Sequence, residues 1–196
     1  MTPWDLLTGR DHVLVAFDGP IAELPSPGPM ADRLRVLVAE GKLPWSVKRT
    51  DDPFAVLAYA VQIGPGTGRA VHAQLSLLET ELVATARLTS GVEAALDLMA
   101  GAGTRVTVVS SLAAAAVRSF LVVHTLTDRV PRIAARTDPD PARLPPAPGL
   151  ITAAVEERAT CLFIGSTRRD LAAARAAGVE TLRFRPGANS WLEGLG

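Results

Sequence analysis

Residues 13 to 24 read VLVAFDGPIAEL, and this stretch decides the fold. Val13 to Phe17 is a short, valine-rich apolar run of the kind that forms a buried strand. Asp18 follows, and Gly19 and Pro20 break the strand. Open α/β sheets gather their chemistry at the C-terminal tips of their strands, so a lone carboxylate in this place marks a candidate site.

Outward from this strand, placed at 12–17, a proline-rich link (LPSPGP, 24–29) leads into helices expected at 30–41, 51–64 and 67–86. The second of these has Asp52 as N-cap and Pro53 at its first position. A further helix is expected at 90–102 with Ser90 as N-cap, and TRVTVVSS (104–111) reads as a second buried strand. Next come a helix from 112 to 126, a short strand in VPRIAAR and a proline-rich loop at 138–149. A helix at 150–157, a strand at 159–165, a helix at 168–178 and a strand at 179–184 complete the pattern. Strand and helix alternate from 104 onward, as in a parallel doubly wound sheet. The helices between the first two strands form a separate subdomain. The expected division is an α/β core from 1–24 and 87–196, with a helical cap at 25–86. No internal repeat or disordered tail is visible.

Composition excludes several functions. The chain has 196 residues, enough for one domain with a substantial core. Twenty basic and twenty acidic residues balance, so no net charge draws it to nucleic acid or an anionic membrane. Apolar residues make up 48% of the chain, yet no run approaches the ~20 residues of a membrane helix. The single cysteine, Cys161, rules out an internal disulfide and fits a reducing, cytoplasmic setting. MTPWDLLTGRDH has no secretion-signal pattern. The expected partner is a small molecule; the oligomeric state is open.

VAFDGPI, VTVVSS and LFIGSTRRD place three strand tips in one series, with a proline loop before the last. With DDPFAVL, VATARLTSG, AVRSFL, RTDPDPARL and DLAAARAAGV, the chain resembles the haloacid dehalogenase-like superfamily, in particular its actinobacterial members with a C1-type helical cap. The resemblance covers nearly the whole chain. It implies a Rossmannoid parallel sheet with the cap inserted after the first strand. It also implies where a phosphatase's groups would stand, and several are replaced. The attacking aspartate corresponds to Ala16, whose methyl has no lone pair. The acid/base aspartate corresponds to Asp18, followed by Gly19. The phosphoryl-binding hydroxyl is Ser110. The lysine before the Pro-x-Pro segment falls on Pro145. The metal-holding acids fall on Ser166 and Asp170. Magnesium prefers hard oxygen ligands with carboxylates among them, so its site is expected to be degenerate and no cofactor is expected. Ordinary phosphatase turnover is not expected either.

Each candidate also has a plainer reading. Asp18 can act as an acid/base, or it can hold its own turn. Ser110 and Ser111 stand before a helix: anion contact is the reading for Ser110, capping for Ser111. Asp170 is a weak metal candidate or a helix-start acid. Arg168 and Arg169 can place a guanidinium at the vacated metal site, or lie in solvent. Gly19, Ser110, Ser111, Ser166, Arg168 and Arg169 are thus the candidate ligand-binding positions. GPGTGR (64–69) reads as a connector, and the three histidines have no metal spacing. Three functions remain. The chain is a pseudophosphatase that binds a metabolite, anionic or not, or a partner. Alternatively, it is a metal-independent enzyme using Asp18 on a small organic substrate in a cyclisation, dehydration or isomerisation. The third is a residual phosphatase.

Overall fold

The computed structural model describes residues 3–39, 43–144, 147–155, 159–188 and 190–195. In chain order the elements are α1 (Pro3–Thr8), β1 (His12–Ala16), β2 (Ala22–Glu23), α2 (Met30–Arg35, continued by a 3-10 turn at Val36–Val38), α3 (Trp45–Lys48), α4 (Pro53–Ile63) and α5 (Pro65–Val83). Then come β3 (Arg87–Leu88), α6 (Val92–Gly101), β4 (Arg105–Ala113), α7 (Ala114–Val123) and β5 (Arg132–Arg136). A 3-10 turn at Pro141–Arg143 precedes α8 (Gly149–Ala154), β6 (Cys161–Gly165), α9 (Arg168–Ala176) and β7 (Glu180–Arg183).

Among the described residues, five strands form a sheet in the order β5-β4-β1-β6-β7, and every neighbouring pair is parallel. β1 is central and buried along its whole length, as expected of a strand covered on both faces. Its side chains alternate between two cores. Val13, Val15 and Phe17 face α6 and α7, where Phe17 meets Phe120 edge-on with centroids 5.1 Å apart. Leu14 and Ala16 face the other way, towards α8 and α9. This second cluster runs unbroken into Leu34 of α2, Leu57 of α4 and Leu75 of α5. One apolar core therefore seats the helical insertion on the sheet, and the β2–β3 pair closes its base.

The expected elements are present, with shifted ends. Asp52 caps α4 as its sequence suggests, its carboxylate accepting from the Phe54 amide at 2.9 Å. Ser90 does not cap α6. Gly91 takes that position at φ +78°, against the backbone of Trp191, and the helix starts at Val92. The connector GPGTGR already contains the first turn of α5, because Pro65 suits a helix start. β4 runs two residues beyond the expected end, to Ala113, and its register with β5 shifts between Ser110 and Ala113. This bulge delays α7. Among the described residues no helix is long and apolar enough to cross a membrane.

Candidate functional site

β1, β4 and β6 are neighbours in the sheet, so Asp18 and Ser166, just past the ends of β1 and β6, stand level with Ser110, the last residue of β4 before its bulge. Above these ends lies a cavity of about 480 Å³, within the usual range for a small-molecule site. The core contributes Ala16, Phe17, Asp18, Val109, Ser110, Ser111, Leu112, Leu144, Thr167, Arg169 and Asp170 to its wall. The insertion and its lead-in loop contribute Leu24, Met30, Pro53, Phe54, Glu79 and Leu82, among others. Most of the wall is apolar, with a few convergent polar groups.

The turn after β1 is held from several sides. The Ile21 and Ala22 amides donate to the Phe17 carbonyl. The Thr89 hydroxyl donates to the Gly19 carbonyl at 2.7 Å, and the Trp191 indole to the Pro20 carbonyl at 2.8 Å. Gly19 adopts φ +94°, a conformation that side chains disfavour. Asp18 is solvent-exposed at the cavity, yet its carboxyl is pushed above the ordinary carboxylate range. The surrounding protein mass is the main cause, the nearby Asp170 charge adds to it, and a bond from the Leu24 amide opposes it.

Asp170 is also pushed up, by burial, against the opposing effects of the Thr167 hydroxyl and Arg169. Thr167 is the N-cap of α9 and accepts from the Asp170 amide at 3.1 Å. Arg169 lines the cavity and donates to Asp52 at 2.8 Å. Arg168 is exposed and outside the cavity wall, and Gly19 and Ser166 are not part of that wall either. A Cβ on Gly19 would sit 1.9 Å from Ser166 Oγ, so these two residues pack against each other where β1 and β6 end. Pro145, where the sequence resemblance would put a lysine, lies outside the described residues.

Ser111 does not cap α7. Ala113 is the N-cap residue and brings no side-chain cap. The Ser110 hydroxyl accepts from the Leu112 amide at 3.1 Å instead. The Ala113 amide donates at 2.8 Å to Glu79, which reaches in from α5. The same Glu79 oxygen accepts from Arg136 at the end of β5, and both side chains are about 1% exposed. Arg136 also donates to the Ser111 carbonyl at 3.1 Å. Burial raises the Glu79 carboxyl; Arg136 and the Ala113 amide counter it. Glu79 and Arg136 are the site residues that sequence reasoning missed. One signal was present: Glu79 falls one turn after Leu75 and next to Leu78, on the apolar face of α5. Of the insertion's aromatics, Phe54 lines the cavity, Tyr59 packs into the second core and Trp45 is 68% exposed.

No family model and no curated protein matches the chain. Solved structures do. CbbY from Rhodobacter sphaeroides, in complex with phosphate, is 17% identical with a TM-score of 0.58, over 92% of this chain and 88% of that one. A HAD family hydrolase from Deinococcus radiodurans with bound phosphate and sodium is 24% identical, TM-score 0.55, over 92% and 83%. A HAD-superfamily hydrolase of subfamily IA from Geobacter sulfurreducens is 18% identical, TM-score 0.54, over 93% and 90%. At such identities the likeness concerns architecture. With its parallel sheet and flanking helices, the chain has the fold of the haloacid dehalogenase-like superfamily.

Proposed function

We propose that the chain binds a small organic molecule between a helical cap and the sheet, and moves a proton on it with Asp18 rather than transferring a phosphoryl group. One observation carries this reading: Asp18 stands in the wall of an open, mostly apolar cavity of about 480 Å³, with its carboxyl raised by burial and by Asp170. A general acid or base works best with a pKa near the operating pH, and such a raised carboxyl moves in that direction.

Phosphoryl transfer is the weaker reading. Ala16 offers no nucleophile. Magnesium does not fit the donor set: Ala16 has no oxygen on its side chain, and Ser166 packs on Gly19. Asp18 and Asp170 remain, too few carboxylates for a hard-oxygen site, and the Asp170 charge already helps to raise the Asp18 carboxyl. Two of the similar proteins hold phosphate, but the groups that face an anion are replaced or paired in this chain. Binding without turnover is the second reading. It is favoured by the Leu24 amide, whose bond gives the Asp18 carboxylate a turn-holding role as well.

Two measurements test the proposal. Hydrolysis of p-nitrophenyl phosphate with magnesium is expected to stay at background, and sustained turnover refutes it. Carbon-13 titration of the Asp18 carboxyl is expected to give a midpoint above that of an ordinary aspartate. A midpoint at or below the ordinary value removes the acid/base role.

A further inference from the structure

Helix N-termini and arginines are the fold's natural places for an anion. Here the two meet: the start of α7, ten residues long, lies beside Arg136 at the end of β5. We infer that Glu79 is the specificity-determining residue of the cavity: its carboxylate occupies this anion position from within, so the cavity rejects phosphate esters and admits molecules without an anionic group.

Three observations carry the inference. First, the donors that would face a bound anion are already engaged. The Ala113 amide and Arg136 both donate to one oxygen of Glu79, and the Leu112 amide donates to Ser110. Second, the cluster is buried, and it has spare capacity. Among the described residues, Nη1 of Arg136 and Oε1 of Glu79 have no hydrogen-bond partner. The idle guanidinium N–H is a donor that a further anion oxygen, placed differently from the Glu79 carboxylate, would take. Third, Glu79 comes from α5 of the insertion and itself lines the cavity, so it stands between the donors and any ligand. A buried ion pair is a poor source of stability compared with apolar packing of the same volume. Its presence here is better explained by what it keeps out.

The inference goes beyond the Asp18 proposal and does not depend on it, since phosphate binding can be measured without any turnover. The probe is inorganic phosphate, compared with chloride at equal ionic strength. Wild-type protein is expected to show no phosphate-dependent rise in melting temperature. Glu79→Ala leaves Arg136 and the Ala113 amide free, and is expected to bind phosphate at least ~10-fold more tightly than wild type. At about ten times its dissociation constant, phosphate should raise that variant's Tm by roughly 3–6 °C. Glu79→Gln keeps the shape and removes the charge, and should show a smaller rise. The double variant Glu79→Ala/Arg136→Met should show none. Should Glu79→Ala fold only with phosphate present, that dependence is itself the expected result. Wild-type affinity equal to that of the variants overturns the inference, and so does a folded Glu79→Gln that ignores phosphate.

Discussion

Arg169, in the first turn of α9, donates to Asp52 at 2.8 Å and so joins the sheet's last helical crossover to the N-terminus of α4. Asp52 serves twice, since its other oxygen caps α4. The two functions separate by substitution. Arg169→Ala removes a partner whose side chain is 60% exposed, and is expected to cost at most ~1 kcal/mol. Asp52→Ala removes the cap as well, and should cost about 1–2 kcal/mol. Urea denaturation of the two variants checks the order; a larger loss for Arg169→Ala would contradict it.

Gly19→Ala is expected to be the most damaging small change near the site. The positive φ alone costs about 1–3 kcal/mol for a residue with a side chain. The added methyl also meets Ser166 Oγ at 1.9 Å and Cβ at 2.8 Å. Ser166→Gly in the same chain should return the steric part and leave the backbone part. A double variant no more stable than Gly19→Ala would show that Ser166 is not the obstacle.

Asp18 should make stability depend on pH. Its carboxyl holds a proton to higher pH in the folded chain than in the unfolded one. Between those two values the native state binds more protons, so stability falls as pH rises through the window. The penalty is absent below the ordinary carboxylate range and complete above the raised value. Asp18→Asn is therefore expected to melt above wild type at neutral pH, with the difference closing in acid. Parallel melting curves for the two proteins across the range would rule this out.

The same variant reads the chemistry once a substrate is in hand. A positioned acid or base contributes typically about 10²- to 10⁴-fold in rate, and Asp18→Asn should lose that much while still binding ligand. Full activity would leave Asp18 as a turn-holding residue only.

Ala16→Asp puts a carboxylate where the sequence resemblance would place an attacking aspartate, and is expected to give no phosphatase turnover. Ala16 is 4% exposed beside Asp18, so a new carboxylate there adds like charge to an already raised acid. Glu79 still holds the start of α7, and Ser166 still packs on Gly19. Release of p-nitrophenol above the wild-type background would contradict this.

The five sheet strands and most helices were legible because their signals are local; the short β2 and β3 were not. Val13 to Phe17 is an apolar run that only a doubly covered strand needs, and Asp52-Pro53 is a helix start wherever it occurs. The order of motifs along the chain likewise placed Asp18, Ser110 and Ser166 at neighbouring strand ends. Short-range pairing decided where some ends fell: Ser90 yields to Gly91, and β4 outruns its expected end by a bulge. What no local pattern contained was the partnership between distant side chains. Glu79 and Arg136 are 57 residues apart and meet only because α5 packs against β4 and α7. Gly19 and Ser166 meet because β1 and β6 are neighbours in the sheet. Arg169 lies beside the cavity and Arg168, its chain neighbour, does not, because successive residues on a helix point about 100° apart. Local residue chemistry thus determined the fold and set an alanine, Ala16, rather than an acid at the end of the first strand, since both depend on which residue stands at a position. The charge character of the site was decided by tertiary structure, because a buried charge is set by what the fold brings against it.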